Sequence, residues 1–498
     1  MSSYYKIFLA VTLISGVSAF SQVGINTVTP NAQLDIRSSN QVAPANTDGI
    51  LIPKIDSFPA VNPTVAQNGM LVFLTTDVGA QSKGFYYWDN ASSSWIGIRA
   101  GGKGWDLTGN AGTDSNINFI GTTDNQDVIM RRNNVRAGLL GVNNTSIGSN
   151  ALNPAATGNH NSAFGSSAMM SNTTGLQNNA IGDSALKSNT IGHDNSAVGF
   201  QSGFTNVSGN WNTSAGNNSL FSDITGNDNV AFGGNALFSN AAGGQNTAIG
   251  TNSLYNNLAS GIVGVGNQAL LSNTTGLYNT AIGSFSLRTN ATGNYNSATG
   301  YNALYNSTGS YNSANGVNAL VSNTTGNENV AFGVASLYSN TTGGQNSAVG
   351  TNALHNNNAS YLVAIGYNSM YNNTTGINNV AVGQNTLASN TTGGNNTSAG
   401  AGALYNNNGD YNGAYGSNCL ISNTSGYDNN GFGAWSLNLN TTGYRNSAVG
   451  GAALQLNTVG FNNTAMGYFA AVSNKTASGN TALGVYSLYS NTAGNDNV

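Results

Sequence analysis

The stretch NTTGGQNSAVGTNAL, residues 340–354, is one period of a repeat that runs from Gly148 to Gly484. Asn340-Thr341-Thr342-Gly343 is turn chemistry, because glycine accepts positive φ freely and asparagine tolerates it. Asn346 to Val349 reads as a short strand closed by Gly350, and Ala353-Leu354 as the start of a second short strand. The marker glycine recurs through Gly250, Gly266, Gly283, Gly300 and Gly316, and every spacing along the array is 16 or 17. From Gly250 to Gly450 a larger unit of 50 residues appears, built as 16, 17 and 17, as tandem duplication of a three-coil cassette would leave it. Its 16-residue member has lost one loop residue, as between Leu354 and Ile365.

A unit this short cannot bury enough surface to fold alone, but it suits one coil of a solenoid. Helices are excluded, since poor helix formers recur in every period. The expected fold is all-β: a parallel β-solenoid of 16–17-residue coils. Stacking would align like residues into columns, so asparagine side chains could hydrogen-bond from coil to coil.

The columns also speak to assembly. Two residues before each marker glycine stands Ala, Ser or Gly, as at Ala248, Ala281, Ala331 and Ala381. One before it the residue is usually large and apolar: Ile249, Ile282, Phe332, Val382. Successive strand residues face opposite ways, so neither face is clearly polar. Four residues after the glycine comes a leucine column, including Leu237, Leu254 and Leu304. A lone solenoid needs only one apolar set inside, and a continuous apolar seam marks an interface. The expectation is a homo-oligomer; the alternative is a monomer that tolerates the small alanine column outside.

Composition agrees with this reading. Of 498 residues only 6% are charged, against 85 Asn and 66 Gly, where an ordinary domain carries about 25% charge. Six prolines and no strict glycine triplet exclude collagen. With 39% hydrophobic residues the chain is not a disordered polyelectrolyte. Thirteen basic against 17 acidic residues leave no footprint for nucleic acid. One cysteine excludes a disulfide framework.

The recurring pattern N-[ST]-A-[VIF]-G-x-x-[AS]-L, seen at Asn246 to Leu254, Asn346 to Leu354 and Asn446 to Leu454, resembles the head repeats of YadA-like trimeric autotransporter adhesins. The resemblance covers the array, residues 148–498, although these coils are longer than usual in that family. It implies a homotrimer of left-handed β-rolls acting as an adhesin at a bacterial surface.

Residues 1–22 read as a secretory signal peptide: Lys6, the apolar run Ile7 to Val17, then Val17-Ser18-Ala19 as a cleavage pattern. No later stretch is long and apolar enough for a membrane-spanning helix. Residues 23–110 lack the period and read as short strands around turns, with Trp88 and Trp95 flanking one of them. Residues 111–147 form a connector. This region looks like the base of tail-fibre-like surface proteins, in which such repeats often precede a self-cleaving chaperone domain. The last residues, AGNDNV, stop where TGNDNVAFG at 225–233 continues, so the expectation is a fragment of a longer product.

Candidate catalytic, cofactor-binding and metal-ligating residues do not emerge. His355 occupies a column held elsewhere by Tyr255, Tyr305 and Tyr405, while His160 and His193 fall in loops. Gly264-Val265-Gly266-Asn267-Gln268-Ala269 matches a dinucleotide fingerprint on paper but lacks the βαβ context. Asp194, Asp228, Glu328, Asp428 and Asp496 share one column, too sparse for calcium-binding solenoid repeats. Cys419 replaces a small alanine and reads as a buried small residue. The expected function is a non-enzymatic, exported fibre that mediates attachment to a host, matrix or glycan surface. Alternatives are a glycan-binding or polysaccharide-degrading protein using Tyr86, Tyr87, Trp88 and Trp95 as a sugar platform, and ice binding through a threonine array.

Overall fold

A computed structural model describes residues 22–79, 81–98, 109–110 and 113–498. The segment read as an export signal, with the exception of Gln22, lies outside the described residues. Two compact units divide between Ile120 and Gly121.

In the first unit β1 (Val23–Ile25) pairs in parallel with β2 (Leu34–Ile36). A separate sheet contains β3 (Lys54–Ile55), β4 (Leu71–Leu74), β5 (Gly84–Asp89) and β6 (Ser94–Ile98), in that order. Strand β3 runs parallel to β4, and β4–β5–β6 form an antiparallel meander. Alternation places Val72, Leu74, Tyr86, Trp88 and Trp95 on one face, where Ile55, Phe58 and Val78 cover them. Trp88 and Trp95 are cross-strand partners with ring centroids 5.7 Å apart, so these tryptophans flank the turn as expected.

The second unit begins with β7 (Val128–Arg132), β8 (Val135–Leu140) and β9 (Asn144–Ile147), paired antiparallel. These strands occupy the edge of a ladder that would otherwise be open, a way of capping a repeat array. Strand β10 (Asn161–Phe164) then pairs parallel with β9. Nineteen three-residue strands follow, from Asn179–Ile181 to Thr481–Leu483, each parallel to the one before. Register offsets are 17 residues, as in Val330↔Ser347, or 16, as in Ser347↔Val363. This is the parallel β-solenoid that the period predicts. At ~4.8 Å per coil its twenty steps span roughly 100 Å. No pairing joins the last strand back to β7, so the sheet is an open ladder.

The second strand expected at Ala353-Leu354 does not form; residues 351–356 are turns. Asn352 and Leu354 both adopt left-handed backbone, with φ of 58° and 54°. Alternating hand turns successive N–H groups toward opposite neighbours. Asn352 donates to the Val334 carbonyl of the preceding coil at 2.9 Å, and Leu354 to the Ser369 carbonyl of the following coil at 2.9 Å. Left-handed backbone costs about 1–2 kcal/mol at leucine. Full burial of that side chain, worth about 1.5–3 kcal/mol, offsets it.

The core settles which columns face inward. Ala248, Ala281, Ala331 and Ala381 are fully buried beside Leu254, Leu287, Leu337 and Leu387. The small alanine column is therefore inside, and the expected alternative of alanines left outside is overturned. The thin coil leaves room opposite the leucines only for Ala, Ser or Gly. Its neighbour column, with Ile249, Ile282, Phe332 and Val382, faces outward instead.

Candidate functional surfaces

Two buried asparagine ladders hold the coils in register. In one, the Asn346 N–H donates to Oδ1 of Asn329 at 3.1 Å, while its own amide donates to the Ala359 carbonyl at 2.8 Å. In the other, Nδ2 of Asn340 donates to Oδ1 of Asn323 and to the Gly343 carbonyl, both at 2.9 Å. These amides face one another across coils and are fully buried, so they are structural cement and not accessible ligand groups.

Sequence reasoning missed Asp223, which stands ten before Gly233 in the second ladder, where Asn240 and Asn340 stand in theirs. Its Oδ1 accepts from the Gly226 N–H at 2.9 Å and from Nδ2 of Asn240 at 3.3 Å. Oδ2 has no hydrogen-bond partner. It occupies the place of an amide nitrogen, whose natural partners are carbonyl oxygens. Burial pushes the Asp223 carboxyl up to about 8, despite the two donors that pull it down. Aligning the array by its marker glycines is the signal that could have found it.

A second missed device repairs two of the four short coils. In 17-residue coils the Thr341 carbonyl accepts from the N–H groups of both Thr324 and Thr325. The coil after Gly350 is one turn residue shorter, and Oδ1 of Asn358 takes the carbonyl's place, accepting from the N–H groups of Thr341 and Thr342 at 3.1 and 3.0 Å. Asn408 does the same for Thr391 at 2.7 Å.

The histidines do not converge. His355 stacks between Tyr338 and Tyr371 at 4.9 Å each, as a member of its aromatic column. His193 contacts Asp194 at 2.8 Å and sits edge-on to Trp211. The acidic column is dispersed: Glu328 accepts from Gln345, and Asp428 lies 3.7 Å from Arg445. Among the described residues no group of three His, Cys, Asp or Glu side chains could hold a metal ion. Cys419 is buried against Ser436, with its thiol pushed up to about 11 by burial. Gly431 stands across from it in the alanine column, where a Cβ would collide with its sulfur.

The proposed sugar platform divides between two sheet faces. Tyr86, Trp88 and Trp95 are buried, and Tyr87 alone is exposed. Many threonine hydroxyls on the array are engaged within it, as where Oγ1 of Thr324 donates to the Thr341 carbonyl at 2.8 Å.

What the array does present is a long apolar stripe, interrupted by the polar Thr299 and Asn315. Of the 21 positions that precede a marker glycine, from Ile147 to Leu483, fifteen are exposed large apolar residues. At roughly 60–80 Å² left open on each, the stripe amounts to on the order of 1,000 Å² per chain, beyond the roughly 300–600 Å² largest patch of an ordinary monomer. A partner's share of a standard interface is roughly 800 Å². Stacked aromatics line other columns, such as Phe204, Phe221, Phe238 and Tyr255 at 4.9–5.0 Å.

A capped parallel β-solenoid with an apolar stripe and dispersed titratable groups is the architecture of a fibrous repeat protein. Residues 24–115 match the family described as a phage tail like trimerisation region. That match and the solenoid together fit a tail-fibre-like trimeric repeat protein. No curated protein and no solved structure matches the chain. Among the described residues no helix is long and apolar enough to cross a membrane.

Proposed function

We propose that this chain is a non-enzymatic, exported fibre protein that assembles as a homotrimer and uses its solenoid as a stiff surface rod for attachment. The observation that carries this reading is the apolar stripe along most of the ladder, in a chain whose N-terminal region matches a trimerisation family. Three copies packed along the stripe would bury it and leave the stacked aromatic columns facing outward. Many equivalent coils on three rods would turn weak contacts into useful avidity. The head-repeat pattern supports the adhesin form of this function, and the N-terminal match supports a tail-fibre-like structural role.

Light scattering on the full chain should return three times the mass of one chain, and the protein should adhere to cells, matrix or a glycan surface. A monomer overturns the trimeric reading. A trimer that adheres to none of these surfaces overturns the adhesin role and leaves the structural fibre.

A further inference from the structure

We infer that the uncovered face of the β4–β5–β6 sheet is the surface through which three copies of the N-terminal unit pack together. The inference rests on the trimeric reading above and names the residues that would form that contact. Pairing registers place Leu71, Tyr87 and Ile96 in one row across the strands, and Phe73, Phe85 and Ile98 in the next. All six point away from the core formed by Tyr86, Trp88 and Trp95. An antiparallel sheet with one face in water normally carries polar residues there. Within the two rows the Tyr87 hydroxyl is the one polar group; Lys54 on β3 and the Asp89–Ser94 pair lie at the margins of the face, and Phe85 and Ile98 are 44% and 51% exposed.

The patch extends beyond the strands. Ile50 and Leu51, both exposed, join Ile52, Phe73 and Phe85 around an open depression of about 240 Å³, with Lys54 at its edge. A large side chain offers roughly 150–250 Å², so the patch leaves on the order of 600 Å² per chain to cover, close to one partner's share of a standard interface. The occupant is a second and third copy of this chain. The match to a trimerisation region spans residues 24–115 and so contains the whole sheet. The two rows are uncharged, with Lys54 and Asp89 at the margins, so identical copies can meet on the rows themselves without setting like charges together. Strand β5 is central in the meander, which brings Phe85 and Tyr87 nearest that axis.

The test uses the full chain, in which the native Cys419 is buried and silent. Tyr87→Cys should give covalent dimers with a short bis-maleimide, since each chain supplies one thiol, while Ala91→Cys in the β5–β6 turn should not. Phe85→Asp, with far-UV circular dichroism confirming its fold, should lower the urea midpoint of trimer dissociation. If the wild type is trimeric but Tyr87→Cys does not crosslink and Phe85→Asp leaves the midpoint unchanged, this inference falls and the trimeric reading stands. A monomeric wild type defeats both.

Discussion

At the scale of single residues, the array is stabilised by neutral groups, and Asp223 is the exception that tests this. Its carboxyl is raised to about 8 by burial, against roughly 3.9 in an unfolded chain. Between those values the folded state holds a proton that the unfolded state has released. Its stabilising contribution is therefore complete below about pH 4 and is lost as pH rises toward 8, with a slope of at most about 1.4 kcal/mol per unit. Asp223→Asn restores the missing amide donor toward Asn206 and Gly226. Hydrogen exchange of the coils around Asp223 should quicken between pH 5 and 8 beyond the intrinsic rate in the wild type and lose that excess in the variant. A backbone test lies at Gly333, where φ is 137° and an added Cβ would stand 2.5 Å from the Gly350 carbonyl. That neighbour is backbone and cannot give way, so Gly333→Ala should cost about 3 kcal/mol. Reduced protection confined to the adjoining coils would show it; unchanged protection would refute the close-stacking account.

At the scale of elements, one coil touches mainly the coils above and below it, so whole cassettes are modular. Deleting residues 301–350 joins Gly300 to Thr351 and removes three coils. The variant should keep its circular dichroism per residue and shorten by ~14 Å in small-angle scattering; collapse of the spectrum would contradict this independence. How much could be read beforehand follows from the same geometry. Period, parallel stacking and asparagine ladders were legible because stacking repeats each residue type in a column. The second strand was misread because Ala353-Leu354 carries apolar strand-like residues, while the alternating hand at Asn352 and Leu354 comes from hydrogen bonds to Val334 and Ser369. Those partners belong to neighbouring coils, and no local propensity contains them. The inward alanine was ambiguous for a related reason: Ala348 and Val349 are both apolar, and only the width of the coil decides between them. The aromatic platform was lost because a run of aromatics on a strand must split between two faces, which buries Tyr86 and Trp88 with Trp95 and leaves Tyr87 exposed by itself. Asn358 was hidden among many asparagines, although it sits where the turn is one residue short.

At the scale of the whole molecule, scarcity of charge becomes an assembly requirement. Residues 148–498 contain 12 charged side chains, and an identical charge on successive coils would meet its neighbour at ~4.8 Å, worth about 1 kcal/mol of repulsion per pair even in water. The triple variant Phe332→Lys, Val349→Lys and Ile365→Lys writes such a row into the stripe. A control row, Tyr361→Lys, Asn378→Lys and Asn395→Lys, occupies consecutive coils in an exposed left-handed column. Both rows carry the same repulsion within a chain, so the control shows what that repulsion alone costs in thermal stability, and the stripe row should lose more because it also loses the partner copies. The stripe row alone would also have to desolvate three ammonium groups against another copy, at several kcal/mol for each. Light scattering should therefore find the stripe variant dissociating toward one chain at concentrations where the control stays at three. Equal masses for the two variants would place the trimer contact elsewhere on the solenoid or in the N-terminal unit alone, and the stripe would then have to be explained as a surface for a different partner.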